Sequence, residues 1–498
     1  MKLSALAEVL EGVLQGNDAS FQKVSIDSRQ VNPGDCFFAI KGEFFDGHDF
    51  VNDVAKKNVA AIVIDHDVDL SSSTPVIRVK NTRAALVALA KHYRSRLDPL
   101  VKPEDDVRNP VILGESGESD PLVTPPDGAA RVILRESRES SDSVPVIGIT
   151  GSCGKTTTRA LLQNILSQSG KVLASQKSFN NDIGLPLTLL QLQPDHQYVV
   201  LELGTNHPGE IAALTAIAQP TISVVTMIAP VHVEGFEANP ENGSPHSAIA
   251  KEKGEIYAGL PQEGIAIINN DDVFADYFKK VAGSRRIVTF GIHQQSDVMA
   301  KEIKIHEEGF SIFSLQLNKV ISVSLPLLGE HNILNALAAA AIAFALEVPI
   351  EKIKLGLETV QPEYGRMNIK KAFNGATIID DSYNANPASV EAAIKLLARR
   401  SKKSILVLGD MKELGSVSEE SHRRVGECAV KCGIAQLFCY GKETALTATT
   451  FGKKARFFED QQALIQALRP VLTPDTTVLI KGSNSMKMVN IVKALEQA

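Results

Sequence analysis

Residues 148–158 read GITGSCGKTTT and follow a short apolar run. The types and spacing suit one task, gripping a polyanion. Gly151 and Gly154 permit backbone conformations with positive φ and let N–H groups approach phosphate closely. A helix starting at Lys155 would add its N-terminal amides and positive dipole end. Thr150, Gly151, Ser152, Cys153, Gly154, Lys155, Thr156 and Thr157 therefore form a candidate nucleotide-phosphate loop. Lys155 could reach the terminal phosphates, and the Thr156 hydroxyl could ligate Mg²⁺. The strict phosphate-loop pattern wants glycine six residues before the lysine, where this chain has Ile149. The bland alternative is a Gly-rich turn with a surface lysine; the apolar strand before the loop and the helix after it favour nucleotide.

A magnesium–triphosphate site needs further oxygen ligands. Glu202 ends the apolar run YVVLE, and His232 follows another such run in APVHVEGF. Each alone is weak, since a histidine after a strand is commonly a packed residue; beside a phosphate loop both become candidates for the metal site. KEKGEIY supplies Lys251 and Lys253. A desolvated lysine amine can take up CO₂ as an anionic carbamate with oxygen donors, although an exposed helical lysine is the plainer reading. NNDD, 269–272, is either an Asn/Asp turn or a contact to an adenine edge. GEHNILNALAAA places His331, Asn332 and Asn335 near a helix start, and the two asparagines share a face. Arg366 in YGRMN is a fork-shaped cation suited to a developing phosphoryl charge. Asp381, Asn384 and Asn386 fall on a strand-exit loop, DDSYNANP.

The elements that must hold these groups alternate strand and helix from residue 144. VPVIGIT, QYVVLELG, PTISVVTMI and GIAIINND are near-continuous β-branched runs, and helices lie between them. That pattern predicts a parallel sheet covered on both faces. HNILNALAAAAIAFALEV is an Ala-rich helix. A further doubly wound α/β unit begins near 361 with ATIIDDSYNANP, KSILVLGDMKELG, AQLFCYG and TTVLIKGSNS; ligands of such sheets collect beyond the carboxyl ends of the strands. Residues 1 to about 100 mix short strands (VSIDSR, DCFFAIKG, VAAIVIDHD) with helices, among them NTRAALVALAKHYRSRL, capped by Asn81 or Thr82.

Residues 101–143 are different in kind. They are rich in Pro, Glu, Ser, Asp and Arg, and VILGESGES recurs as VILRESRES. Such a composition cannot bury enough apolar surface to offset its ordering entropy. An inserted low-complexity segment, disordered in isolation, is expected there rather than a partner-binding arm.

The bulk numbers agree with a multidomain globular chain. At 498 residues, with 44% hydrophobic and 22% charged content, it is long enough for about three domains. A net charge of −6 argues against general attraction to nucleic acid or anionic lipid. The apolar runs are too short to span a bilayer, and MKLSALAEVLEG lacks a secretory cleavage pattern. Five scattered cysteines without a CxxC pair suit a reducing cytoplasm better than a disulfide framework or zinc.

Taken in order, TGSCGKTTT, NNDIGLPLTLL, LELGTNHPGEI, HVEGF, KGEIY, GEHNILNALAAAA, GRM and DDSYNANP resemble the Mur ligase family, the ATP-dependent amide ligases of peptidoglycan precursor synthesis. NNDIGLPLTLL, DDSYNANP and LGDMKELG resemble its dipeptide-adding branch. The resemblance spans the chain except 101–143. It implies an α/β protein of three domains: an N-terminal nucleotide-sugar domain (1–100), a central P-loop parallel-sheet ATPase-like domain (144–360) and a C-terminal Rossmann-like domain (361–498). It implies a cytoplasmic, monomeric enzyme using ATP and Mg²⁺ to join D-alanyl-D-alanine to UDP-N-acetylmuramoyl-tripeptide through an acyl phosphate. By motif, Lys155 and Thr156 would serve phosphates and metal, and Glu202 and His232 the metal. Lys253 would be the carbamate, with Asn270 and Asn332 near base and ribose. Arg366 and Asp381 would close over the nucleotide. Ser28 and Arg29 of DSR, with Lys41 and His48 of KGEFFDGHDF, would line the nucleotide-sugar pocket. Asn180 and Asn181 would meet the muramoyl peptide, and Asn384 and Asn386 the substrates from the far side. Two departures stand out: Asn484 where many relatives carry Arg, and a long stretch after Phe236. The competing readings are a sibling ligase or folylpolyglutamate synthase adding another amino acid, or an ATP-switched binding protein.

Overall fold

The computed structural model describes residues 1–42, 45–70, 72–95, 144–176, 179–229, 233–236, 244–401 and 403–496. The segment 101–143, His232 and residues 237–243 of the stretch after Phe236 lie outside the described residues. The rest is a mixed α/β chain with three sheets in sequence order.

The central sheet positions the phosphate loop. From one edge its strands run Val172–Ala174, Tyr198–Glu202, Val146–Thr150, Ile222–Val225, Ile265–Asn269, Arg286–Gly291 and Val298–Ile305, all parallel. Val146–Thr150, wholly buried, lies inside this parallel part with strands on both sides, which is why its sequence carries no polar face. Register then places Glu202: it pairs with Ile149, one residue short of the loop, while Val225 pairs with Thr150. Two antiparallel strands, Ser311–Gln316 and Val320–Leu325, extend the far edge. Their alternating burial marks a sheet with one wet face.

Helices cover both faces. On one, Lys155–Ser167 packs with the Ala-rich helix His331–Ala345, and Leu161, Leu162, Ile165, Ala336 and Ala340 share one core. On the other, Glu210–Ala218 and Pro245–Ala258 bury Ile211, Leu214, Ile256 and Tyr257. The Tyr257 hydroxyl donates to the Ile267 carbonyl at 2.6 Å and accepts from the Val225 amide at 2.8 Å, pinning the KGEIY helix to the sheet.

The C-terminal sheet runs Asn368–Lys371, Thr377–Asp381, Thr477–Lys481, Ser404–Gly409, Gln436–Tyr440, Ala455–Phe458, with only the first strand antiparallel. Thr377–Asp381 and Thr477–Lys481 are neighbours although 100 residues apart, and Asp381 pairs with Lys481 in register. The N-terminal sheet runs Val13–Gln15, Val76–Arg78, Ala61–Ile64, Cys36–Phe38, Val24–Ser25. Its helix Thr82–Ser95 begins where the Ala84 amide donates to Asn81 at 2.8 Å, so Asn81 is the cap. No described helix is long and apolar enough to cross a membrane.

Candidate active site

The phosphate loop leaves the central sheet at Thr150. Gly151 has φ +144° and Gly154 φ +88°, conformations that disfavour a Cβ. Space forbids one as well: it would lie 2.0 Å from Thr226 Oγ1 at Gly151 and 2.2 Å from Asn335 Oδ1 at Gly154. The loop is thus clamped between the next strand's exit and the Ala-rich helix. Ser152 completes the clamp, its amide donating to the Met227 carbonyl at 2.8 Å and its hydroxyl to the Ala229 carbonyl at 2.9 Å. In turn Asn335 Nδ2 donates to Asn332 Oδ1 at 2.9 Å, and Asn332 Nδ2 to the Leu328 carbonyl at 2.7 Å.

Lys155 Nζ curls back onto the Gly151 carbonyl at 2.7 Å. Burial pushes its ammonium below the ordinary lysine range, against the pull of Glu202. Thr156 Oγ1 donates to Glu202 Oε2 at 3.2 Å and receives Arg366 at 3.1 Å. Glu202, 1% exposed, also receives Arg159 Nε on Oε1 at 2.9 Å, and Arg159 reaches Glu363 with another nitrogen. The oxygens of Thr156 and Glu202 form a hard, anionic donor set of the kind that suits Mg²⁺.

These groups face one cavity of about 1320 Å³ whose walls come from all three sheet-bearing regions. Arg83 enters from the first, pairing with Asp182 at 2.8 Å. Asn180 and Asn181 line it too, although Asn181 Oδ1 is occupied in accepting the Gly184 amide at 2.8 Å, where the helix Gly184–Leu189 begins. From the C-terminal region come Asp381, Asn384 and Asn386. Lys481, 3% exposed, bonds Asp381 Oδ2 at 2.5 Å and the Asn384 carbonyl at 2.9 Å. Asn386 caps the helix Pro387–Arg400 in a reciprocal box with Ser389, and its Nδ2 donates to Cys153 Sγ at 3.1 Å. Arg366 lies over the Tyr383 ring, 4.5 Å from its centre. Asn484 donates to the Tyr383 carbonyl at 3.2 Å beside the same cavity.

Lys253 lies beneath the loop, 1% exposed. Burial, with the Lys155 charge close by, pushes its amine well below the ordinary lysine range. Its neighbour Glu252 accepts the Gly209 and Ile211 amides, each at 2.7 Å, and so caps the helix Glu210–Ala218. Lys251, by contrast, is exposed.

Not every candidate residue converges. Asn270 is held by Lys279 at 2.8 Å and by the Gln295 carbonyl at 2.7 Å, and does not line the cavity. The side chains of Asn269, Asp271 and Asp272 bond nearby backbone. Ser28, Arg29, Lys41 and His48 lie in the N-terminal region apart from the cavity; Arg29 forks onto Asp27 at 2.9 Å, and the Ser28 carbonyl accepts Lys57 at 2.8 Å. His48 is taken up below. Sequence reading missed Arg159, Glu363 and Lys481. Arg159 had a signal: it falls three residues after Thr156 and shares its helix face.

The arrangement can hold a triphosphate on main-chain amides, neutralise its end with Lys155 and Arg366, and enclose a second substrate against the C-terminal loop. Comparison with known proteins agrees. Residues 149–343 match the description Mur ligase middle domain, 365–484 Mur ligase, glutamate ligase domain, and 20–94 Mur ligase family, catalytic domain. The chain is 36% identical over 99% of its length, and 98% of the relative's, to the UDP-N-acetylmuramoyl-tripeptide–D-alanyl-D-alanine ligase of Escherichia coli (strain K12). A crystal structure of MurF from Acinetobacter baumannii superposes with TM-score 0.83 at 29% identity, covering 98% of this chain and 97% of that one. The MurF ligase of Thermotoga maritima in complex with ADP shares the fold, with TM-score 0.73 at 24% identity and 95% and 96% coverage.

Proposed function

This chain belongs to the Mur ligase family, and we propose that within it the protein joins D-alanyl-D-alanine to UDP-N-acetylmuramoyl-tripeptide, an ATP-dependent C–N ligation in peptidoglycan precursor synthesis. The observation that carries the reading is the single cavity in which the phosphate loop, Glu202 and Arg366 face Asp381, Asn384 and Lys481.

The tripeptide's terminal carboxylate attacks the γ-phosphorus of ATP, the bond to ADP breaks, and an acyl phosphate forms. The dipeptide amine then attacks the acyl carbon, loses a proton and expels inorganic phosphate from a tetrahedral intermediate. A covalent enzyme nucleophile is not needed; positioning and charge neutralisation suffice. Loop amides and Lys155 hold the phosphates, and Arg366 offsets charge on the transferring group. A magnesium ion held by Thr156 and Glu202 would supply further neutralisation of phosphate charge. Asp381, Asn384 and Asn386 bring the C-terminal wall against the loop, and substrates filling the cleft would displace water, which would otherwise hydrolyse the acyl phosphate. The depressed, buried amine of Lys253 favours the neutral form that takes up CO₂, so a carbamate there is part of the reading. Protein equilibrated with ¹³C-bicarbonate is expected to give a carbamate carbon resonance that Lys253→Ala lacks; an unchanged spectrum rejects the modification.

Purified protein with UDP-N-acetylmuramoyl-tripeptide and ATP is expected to release phosphate only when D-alanyl-D-alanine is added. Release with glutamate or a single amino acid instead would assign a sibling reaction. Release without any amine would assign an ATP-driven switch.

A further inference from the structure

Away from the ligation cavity, the described residues bring together one trio of metal-ligating side chains, His48, Asp65 and His66, whose donor atoms all lie within 4.8 Å of one another. His48 Nε2 stands 3.3 Å from Asp65 Oδ1, and His66 Nδ1 stands 2.8 Å from the same oxygen. The two imidazole rings are 4.0 Å apart at 35°. We propose that this trio binds a divalent transition-metal cation of the zinc class.

Two imidazole nitrogens and one carboxylate form a donor set for zinc, cobalt or nickel rather than for the all-oxygen magnesium site of the phosphate loop. Ligands at about 2.0–2.1 Å from one tetrahedral ion stand roughly 3.3–3.4 Å apart, so the Nε2–Oδ1 pair already has the needed spacing and the second pair needs only slight opening. Two of the three ligands are held from behind. Asp46 Oδ1 takes the other ring nitrogen of His48 at 2.6 Å, the carboxylate support that metal-bound histidines commonly have; the Nε2 lone pair, which now accepts the Asp65 amide at a long 3.4 Å, exchanges that weak contact for the ion. Asp46 also accepts the His48 amide at 3.0 Å, and a Cβ at Gly47 would lie 2.7 Å from the Ile40 amide, so this turn is packed tightly onto the sheet. Asp65 Oδ2 accepts the Thr82 amide and hydroxyl, both at 3.3 Å, anchoring the carboxylate at the start of the helix Thr82–Ser95. His48 is 6% exposed, whereas the His66 side chain is 55% exposed. An incoming ion therefore meets two fixed ligands and one adjustable ligand, with its remaining position open to water. The charges balance: two carboxylates, Asp46 and Asp65, around one dication and two neutral imidazoles.

Cobalt(II) is the probe, because its visible absorption reports nitrogen–oxygen coordination. The full-length wild-type chain is expected to take up cobalt with such a spectrum, and zinc is expected to displace it and raise the unfolding temperature. His66→Ala, at a half-exposed side chain outside the ligation cavity, should weaken that uptake at least about 10-fold while dipeptide-dependent ligation stays at the wild-type level. Asp46→Asn should weaken it by a similar factor through His48. Equal cobalt affinity in wild type and His66→Ala overturns the assignment, as does a wild-type chain without the spectrum. Loss of ligation alone in every protein preparation would count against the proposed reaction and leave the metal result standing by its own spectrum.

Discussion

Lys155→Ala is expected to lower dipeptide-dependent ligation about a thousand-fold while leaving the fold intact. A unit charge about 4 Å from a phosphate oxygen is worth about 4 kcal/mol at an effective dielectric near 20. Expressed in the transferring phosphoryl group, that is about 10³ in rate. The structural cost is small, because among the described residues the Lys155 ammonium bonds the Gly151 carbonyl, at 2.7 Å, and the loop is held by Thr226, Ser152 and Asn335. Circular dichroism and thermal unfolding should match wild type, and steady-state phosphate release should nearly vanish. A variant turning over within tenfold of wild type would remove Lys155 from the phosphate site, and with it the mechanism above.

Glu202→Ala is expected to cost both activity and stability, for separable reasons. The carboxylate is 1% exposed and pairs with Arg159, whose side chain is 6% exposed. Removing one partner of a buried ion pair costs about 3–5 kcal/mol, because the other is left uncompensated. Glu363 still touches Arg159, which places the loss near the lower figure of about 3 kcal/mol. Denaturant unfolding reads it. Adding Arg159→Met should recover most of the stability, since no buried guanidinium then lacks its carboxylate, yet should not recover ligation, since Thr156 has lost the oxygen it faces at 3.2 Å. If the double variant regains activity together with stability, Glu202 is a structural partner of Arg159 and the magnesium assignment fails.

Arg159 also shows where reading the sequence stops. Its helix was evident from the loop and the apolar spacing after it, but its partners are 43 and 204 residues away. The far edge of the central sheet was missed for another reason. Strands 311–316 and 320–325 alternate in burial but break the apolar–polar alternation at Ile312–Phe313 and Val320–Ile321, while the buried parallel strands are continuous apolar runs that dominate the pattern. In NNDD the side chains of Asn270, Asp271 and Asp272 bond backbone or a lysine that other stretches of chain bring to them, and the local pattern does not show those partners.

The sequence by itself determined the phosphate cradle, the buried apolar strands and helices around it, and the kinds of side chain at their exits. Those features are local: a positive-φ glycine, a helix start and an apolar strand act over a few neighbouring residues. Tertiary structure alone decided which exits became neighbours. Strand order set Glu202 beside Thr156, put Lys481 against Asp381 across 100 residues, and joined His48 to Asp65 and His66. A polar side chain's role depends on the charge and space that a distant segment delivers to it, and periodicity along one stretch of chain carries no record of that delivery.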